Sequence, residues 1–81
     1  MTEEIQEIIE TLNQVIKDNS VPRNIRRGAE EAKNILKDEK EDIKNRASSA
    51  LYILEGITND RNLPMHARTT LWNVAGSLET L

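Results

Sequence analysis

Residues 18–36, DNSVPRNIRRGAEEAKNIL, and residues 60–78, DRNLPMHARTTLWNVAGSL, superimpose when the chain is slid by 42 positions. Asp18 then meets Asp60, Val21 meets Leu63, Pro22 meets Pro64, Arg26 meets Arg68 and Leu36 meets Leu78. In both stretches a polar turn runs into a proline, a residue tolerated in the first turn of a helix but not inside one. Beyond each proline the apolar residues recur at steps of three and four. Ile25, Ala29, Ala32, Ile35 and Leu36 form one stripe, and Ala67, Leu71, Val74, Ala75 and Leu78 form another. Each stretch therefore reads as a turn followed by an amphipathic helix.

The segments before them follow the same spacing. Ile5, Ile8, Ile9, Leu12, Val15 and Ile16 make one stripe, and Ile43, Ala47, Ala50, Leu51, Leu54 and Ile57 make another. The slide brings Ile9 onto Leu51, Leu12 onto Leu54 and Val15 onto Ile57. No stretch alternates with period two, and residues that lose little freedom in a helix dominate the composition. Thr2, followed by Glu3 and Glu4, suits a helix start, where acidic side chains meet the positive end of the dipole. Lys37–Asp42 holds neither glycine nor proline; it reads as a charged turn, because one helix from Pro22 to Thr58 would leave two apolar stripes without a partner. The spacing predicts helices near 3–18, 22–37, 42–58 and 64–80.

The chain is thus two copies of a helix–turn–helix unit of period 42, and this pattern is similar to HEAT-type helical repeats. An open solenoid needs about three units or more to bury a continuous core. Two units can instead close on each other, so the expected fold is all-α: one domain over residues 1–81, a compact four-helix bundle, with a two-repeat HEAT-like stack as the alternative. Ala29, Ala32, Ala47 and Ala50 should let the second and third helices approach closely.

The segments SVPRNIRRGAEEA, ASSALYILEGIT and LPMHARTTLWNVAGSLE closely resemble the archaeal uncharacterised protein family 0147 over nearly the whole chain. Its most specific pieces are Val21 to Arg27 and Pro64 to Trp72, the latter with His66 and Arg68. The resemblance implies an all-helical four-helix bundle and an archaeal cytoplasmic setting, and it supplies no catalytic residues. The Lys37–Asp42 turn departs from the family's loop, which carries a proline, and this leaves the start of the third helix open.

Composition narrows the function. The 81 residues include no cysteine and a single histidine, which removes disulfide scaffolds, thiolate metal sites and cysteine nucleophiles. No phosphate-binding glycine loop, dinucleotide fingerprint, zinc-protease helix or nucleophile elbow is present. Di-iron bundles use Glu-x-x-His pairs, and here Leu63 stands three residues before His66. Pairs such as Glu3/Glu7 and Glu30/Glu31 lie off the apolar stripes and read as solvated faces. Neither a cofactor, a metal site nor an enzymatic activity is expected. The acidic start MTEEIQEIIE is no secretory signal and no apolar run could span a bilayer, so a soluble cytoplasmic protein is expected, with no membrane partner.

Two features point towards binding. Five of the six arginines, Arg23, Arg26, Arg27, Arg61 and Arg68, fall in or just after the proline-marked turns, which an up-and-down bundle brings to one end, joined by His66. Glu3, Glu4, Asp38, Glu39, Glu41, Asp42, Glu79 and the C-terminal carboxylate are expected to gather at the other end, so the net charge of −3 hides a polarised molecule. Arginines in a first helical turn face the positive end of the dipole, at roughly a few tenths of a kcal/mol each. The repeated eight-residue spacing suggests that Asp18 neutralises Arg26 and Asp60 neutralises Arg68. That leaves Arg23, Arg27 and Arg61 as candidates for binding phosphate, RNA or an acidic protein surface. Against nucleic acid stand the acidic total and the absence of aromatics among these arginines.

The second feature is apolar surface off the core stripes. Met65 and Trp72 are seven residues apart, with Gly76 continuing their seam, and Tyr52 projects away from the core of the third helix. Tryptophan is enriched at interface hot spots, so Met65, Trp72 and Tyr52 are candidates for a homodimer or protein-partner contact. His66, one turn away, reads as a surface residue at a helix start. The reading that results is a non-catalytic protein–protein interaction module, able to self-associate; the alternative is an RNA- or ribosome-associated accessory protein using the arginine end.

Overall fold

A computed structural model describes residues 2–81, with side chains from Glu3 onward. The four helices are α1 (Thr2–Lys17), α2 (Arg23–Lys37), α3 (Ile43–Ile57) and α4 (Met65–Glu79), each within one residue of the bounds read from the sequence. The capping role read for Thr2 concerns a side chain outside the described ones. The molecule measures 33 × 19 × 17 Å.

Each apolar stripe turns inward. Leu12, Ile25, Leu36, Leu54 and Leu71 lose all contact with solvent, each contributing about 1.5–3 kcal/mol by the area it buries. Val21 and Leu63, the apolar residues just before the prolines, are buried too and plug one end of the core. α1 packs on α2, α2 on α3, α3 on α4 and α4 back on α1, while among the described residues no Cα atoms of α1 and α3, or of α2 and α4, come within 8 Å. This closed ring is the compact four-helix bundle. Stacked HEAT-type units would instead bring equivalent helices side by side; here α1 and α3 stand at opposite corners, as do α2 and α4.

The α2–α3 pair makes the broadest contact in the ring, with Ala29, Ala32, Ala47 and Ala50 buried between the neighbours. Gly28 also belongs to this contact. A Cβ there would lie 2.8 Å from Ile57 Cγ2, so the approach leaves no room for any side chain.

All three turns share one construction, although their sequences differ. The N–H groups of Asp18, Asp38 and Asp60 each donate to the carbonyl three residues back, on Val15, Ile35 and Ile57. Their carboxylates accept the N–H two residues on, from Ser20, Lys40 and Asn62, at 2.9, 3.1 and 2.8 Å. Pro22, Asp42 and Pro64 then hold nearly the same extended conformation, with φ between −56° and −71° and ψ between 149° and 164°. Asp42 replaces proline's rigidity with a side-chain cap, accepting the Asn45 N–H at 2.8 Å, and this sets the start of α3.

Candidate functional site

The turns at 18–22 and 58–64 meet at one end of the bundle and are bonded to each other's helices. His66 Nε2 lies 2.7 Å from Asp18 Oδ2, within hydrogen-bond distance. Asn24 Nδ2 donates to Asp60 Oδ2 at 3.0 Å. Ser20 Oγ donates to Asp18 Oδ1 at 2.6 Å, with the Ser20 N–H on the same oxygen. These bonds, the Ser20 hydroxyl first and His66 next, hold the Asp18 carboxyl down from 3.8 to about 2. Asn24 first, and then the Asn62 N–H, lower that of Asp60.

Serine, histidine and aspartate in one cluster invite comparison with a nucleophile relay, in which the histidine uses one nitrogen for each partner. Here a single atom, His66 Nε2, faces both Asp18 at 2.7 Å and Ser20 Oγ at 3.5 Å. The hydroxyl proton points to the carboxylate instead, so the cluster is a tether between α4 and the first turn.

The arginines divide into two sets. Arg23, Arg27 and Arg61 are exposed, and among the described residues no carboxylate lies within 4 Å of them. The Asn24–Asp60 bond places Arg23 and Arg27 beside the turn that carries Arg61. Arg26 and Arg68 are half-buried, and among the described residues neither makes a direct ion pair with the aspartate eight residues before it, although the charge of Arg68 is the least of the causes that lower Asp60. Arg68 reaches backbone oxygen, with Nε on the Thr58 carbonyl at 3.2 Å and Nη2 on that of Asp60 at 2.8 Å. Arg46 does the same one helix earlier, donating to the Leu36 carbonyl at 3.0 Å. These guanidinium groups sit where the preceding helix ends, the favourable pole for a cation. The Asp18 carboxylate is already taken by Ser20 and His66, and Arg26 Nε is sealed from solvent without a partner.

The opposite end carries Glu3, Glu4, Asp38, Glu39, Glu41, Asp42 and Glu79 against Lys37, Lys40, Lys44 and Arg46. The arginine end has Lys17 and five arginines against Asp18, Glu55 and Asp60. The polarity read from the sequence is therefore built into the fold.

Met65, Trp72 and Tyr52 are exposed, at 67%, 57% and 80% of their full surface. Met65 and Trp72 share the outer face of α4; Tyr52 stands on α3, where it lines a shallow groove towards α2 with Glu31, Ile35 and Ile53. Two further residues on these outer faces escaped sequence reading as a pair. Gly56 and Gly76 follow Tyr52 and Trp72 by four residues each, and a Cβ at either would meet nothing within 4 Å. Among the described residues no helix is long and apolar enough to cross a membrane, and no three metal-ligating side chains converge.

The arrangement defines a small antiparallel four-helix protein with a basic pole, an acidic pole and one exposed aromatic residue on each of α3 and α4. A sequence model described as "Uncharacterised protein family (UPF0147)" matches residues 1–81, and the chain belongs to that family. It is similar to the UPF0147 protein of Thermococcus kodakarensis, 52% identical over 80 residues, covering 98% of this chain and 96% of that one. The crystal structure of a UPF0147 protein from Thermoplasma acidophilum matches with a TM-score of 0.93 at 32% identity, covering 99% of this chain and 94% of that one. A crystal structure titled as a protein of unknown function matches with a TM-score of 0.96 at 36% identity, covering 99% and 91%.

Proposed function

We propose that this protein is a non-catalytic cytoplasmic interaction module that binds protein through the outer faces of α3 and α4. One observation carries the reading: between Met65 and Ser77 none of the exposed residues of α4 is Lys, Arg, Asp or Glu, the half-buried Arg68 being turned onto the Thr58 and Asp60 carbonyls, while Met65 and Trp72 stand in solvent. α2 is its opposite, exposing Arg23, Arg27, Glu30, Glu31 and Lys37. Single exposed apolar residues are ordinary on any protein. Depletion of charge around tryptophan and methionine is the compositional mark of an interface centre.

Trp72, the chain's one tryptophan, reports its own burial. Emission and sedimentation should be followed as concentration rises and as cell extract is added. A blue shift with a gain in mass is expected in the wild type, and the gain in mass should be lost in Trp72→Ala with helicity kept. A solvent-exposed indole on a monomer under every condition defeats the reading.

A second reading, RNA association, is favoured by Arg23, Arg27 and Arg61, which stand exposed without acidic partners at one end. It calls for a gel shift with RNA that weakens as salt rises and is lost in Arg23→Glu/Arg27→Glu with stability retained. No shift at low salt sinks it.

A further inference from the structure

We infer that the occupant of the outer face of α4 is a second copy of the chain, packed antiparallel so that the basic pole of each lies beside the acidic pole of the other. This rests on the outer face of α4, with Met65 and Trp72, being a contact surface, and adds what covers it and in which direction.

Shape gives the first ground. A glycine inside a helix lowers its stability by about 1 kcal/mol relative to alanine, so the space beside it is where a compensating contact is sought. Gly28 has one in Ile57; Gly56 and Gly76 have none within the chain. Each instead follows an exposed aromatic residue by four positions, which on a helix is one turn along the same face: Tyr52 with Gly56, Trp72 with Gly76. Both outer faces are thus a projection next to a gap. A two-fold axis perpendicular to α4 sets the indole of each copy against Gly76 of the other. Parallel packing would oppose Trp72 to Trp72 and Gly76 to Gly76, a collision beside a void.

Charge gives the second ground, independent of the first. The arginine pole and the Glu39/Glu41/Asp42 pole stand at opposite ends of a molecule 33 Å long. Antiparallel neighbours bring unlike poles together twice; parallel neighbours bring like poles together twice. At ordinary ionic strength charges act over about 8–10 Å, so only poles placed side by side interact strongly.

The chain has no cysteine, which makes single introduced thiols clean reporters. Asn62→Cys marks the basic pole and Lys40→Cys the acidic one, both at exposed turn positions. Mixed with a short bis-maleimide, the two variants should cross-link with each other and not with themselves. The product should fall as salt rises, and should fall roughly tenfold or more in Trp72→Ala and in Gly76→Leu. Like-with-like cross-links that still depend on Trp72 overturn the antiparallel arrangement and leave the α4 face as a contact surface. A wild-type chain that stays monomeric at millimolar concentration overturns the second copy as occupant, while that face's response to cell extract is read separately. Cross-links indifferent to both Trp72→Ala and Gly76→Leu overturn the inference and the contact surface together.

Discussion

His66 Nε2 sits 2.7 Å from Asp18 Oδ2, and the 42-residue slide carries this bond onto the one between Asn24 and Asp60. Asp18 corresponds to Asp60 and Asn24 to His66, so each helical hairpin sends one side chain from its second helix to the other's turn. The halves behave as if related by a two-fold along the bundle axis. One link uses an imidazole and the other an amide, so the two halves make the same connection with different side chains.

Acid should weaken this end of the molecule in a defined window. Asp18 has its carboxyl lowered to about 2, chiefly by Ser20 and then by His66, and that of Asp60 is lowered too. A depressed carboxyl contributes stability above its ordinary value of 3.8, and the contribution fades as pH falls towards about 2. Thermal midpoints measured across that range should drop steeply in the wild type and less steeply in Asp18→Asn. Equal slopes would show that the carboxylate does not act through these bonds.

Arg68 and Arg26 occupy equivalent positions but should respond in opposite ways. Arg68→Met removes two bonds to backbone carbonyls, at a cost of about 1–3 kcal/mol in urea unfolding. Arg68→Lys should not recover it, since a point charge cannot span both oxygens. Arg26→Met removes a sealed Nε that has no partner and should be neutral or stabilising. Equal losses from the two substitutions would contradict the bonding described.

The three glycines separate in the same measurement. Gly56→Ala and Gly76→Ala should each stabilise the monomer by about 0.5–1 kcal/mol, since nothing opposes the new methyl group. Gly28→Ala gains the same helix preference but drives its Cβ to 2.8 Å from a methyl fixed on the Ile57 branch, and overpacking of about 1–3 kcal/mol should prevail. A stabilised Gly28→Ala variant would mean that α2 and α3 can separate freely.

Asp42 can be replaced in two informative ways. Asp42→Ala loses the cap on Asn45 and should cost about 1 kcal/mol. Asp42→Pro loses the cap as well, but its φ of −71° already suits proline, as at the other two turns. The proline variant should therefore unfold at a higher urea concentration than the alanine one.

Apolar periodicity was enough to place the helices, because buried stripes such as Ile25/Ala29/Ala32/Leu36 leave one solution for a chain this short. The arginine partners were harder. An eight-residue spacing from Asp60 to Arg68 is visible in the sequence, but nothing in it says that the guanidinium will prefer the carbonyl of Asp60 to its carboxylate. The signal that would have helped is a third copy, Asp38 with Arg46, hidden because that turn has glutamate where the others have buried Val21 and Leu63. Gly56 escaped, and Gly76 was legible only as part of the Met65/Trp72 seam, for another reason. A glycine is informative only once the space around it is known, and spacing alone does not separate them from Gly28.

The shared construction of the three turns separates polarity from architecture. An identical backbone supports Arg61 at one pole and Glu39 at the other, and its bonds use an aspartate that all three possess. The sign of either pole is thus a property of the side chains alone. Relatives could invert or erase the molecule's electrical axis by exchanging a few surface residues, without disturbing a single helix.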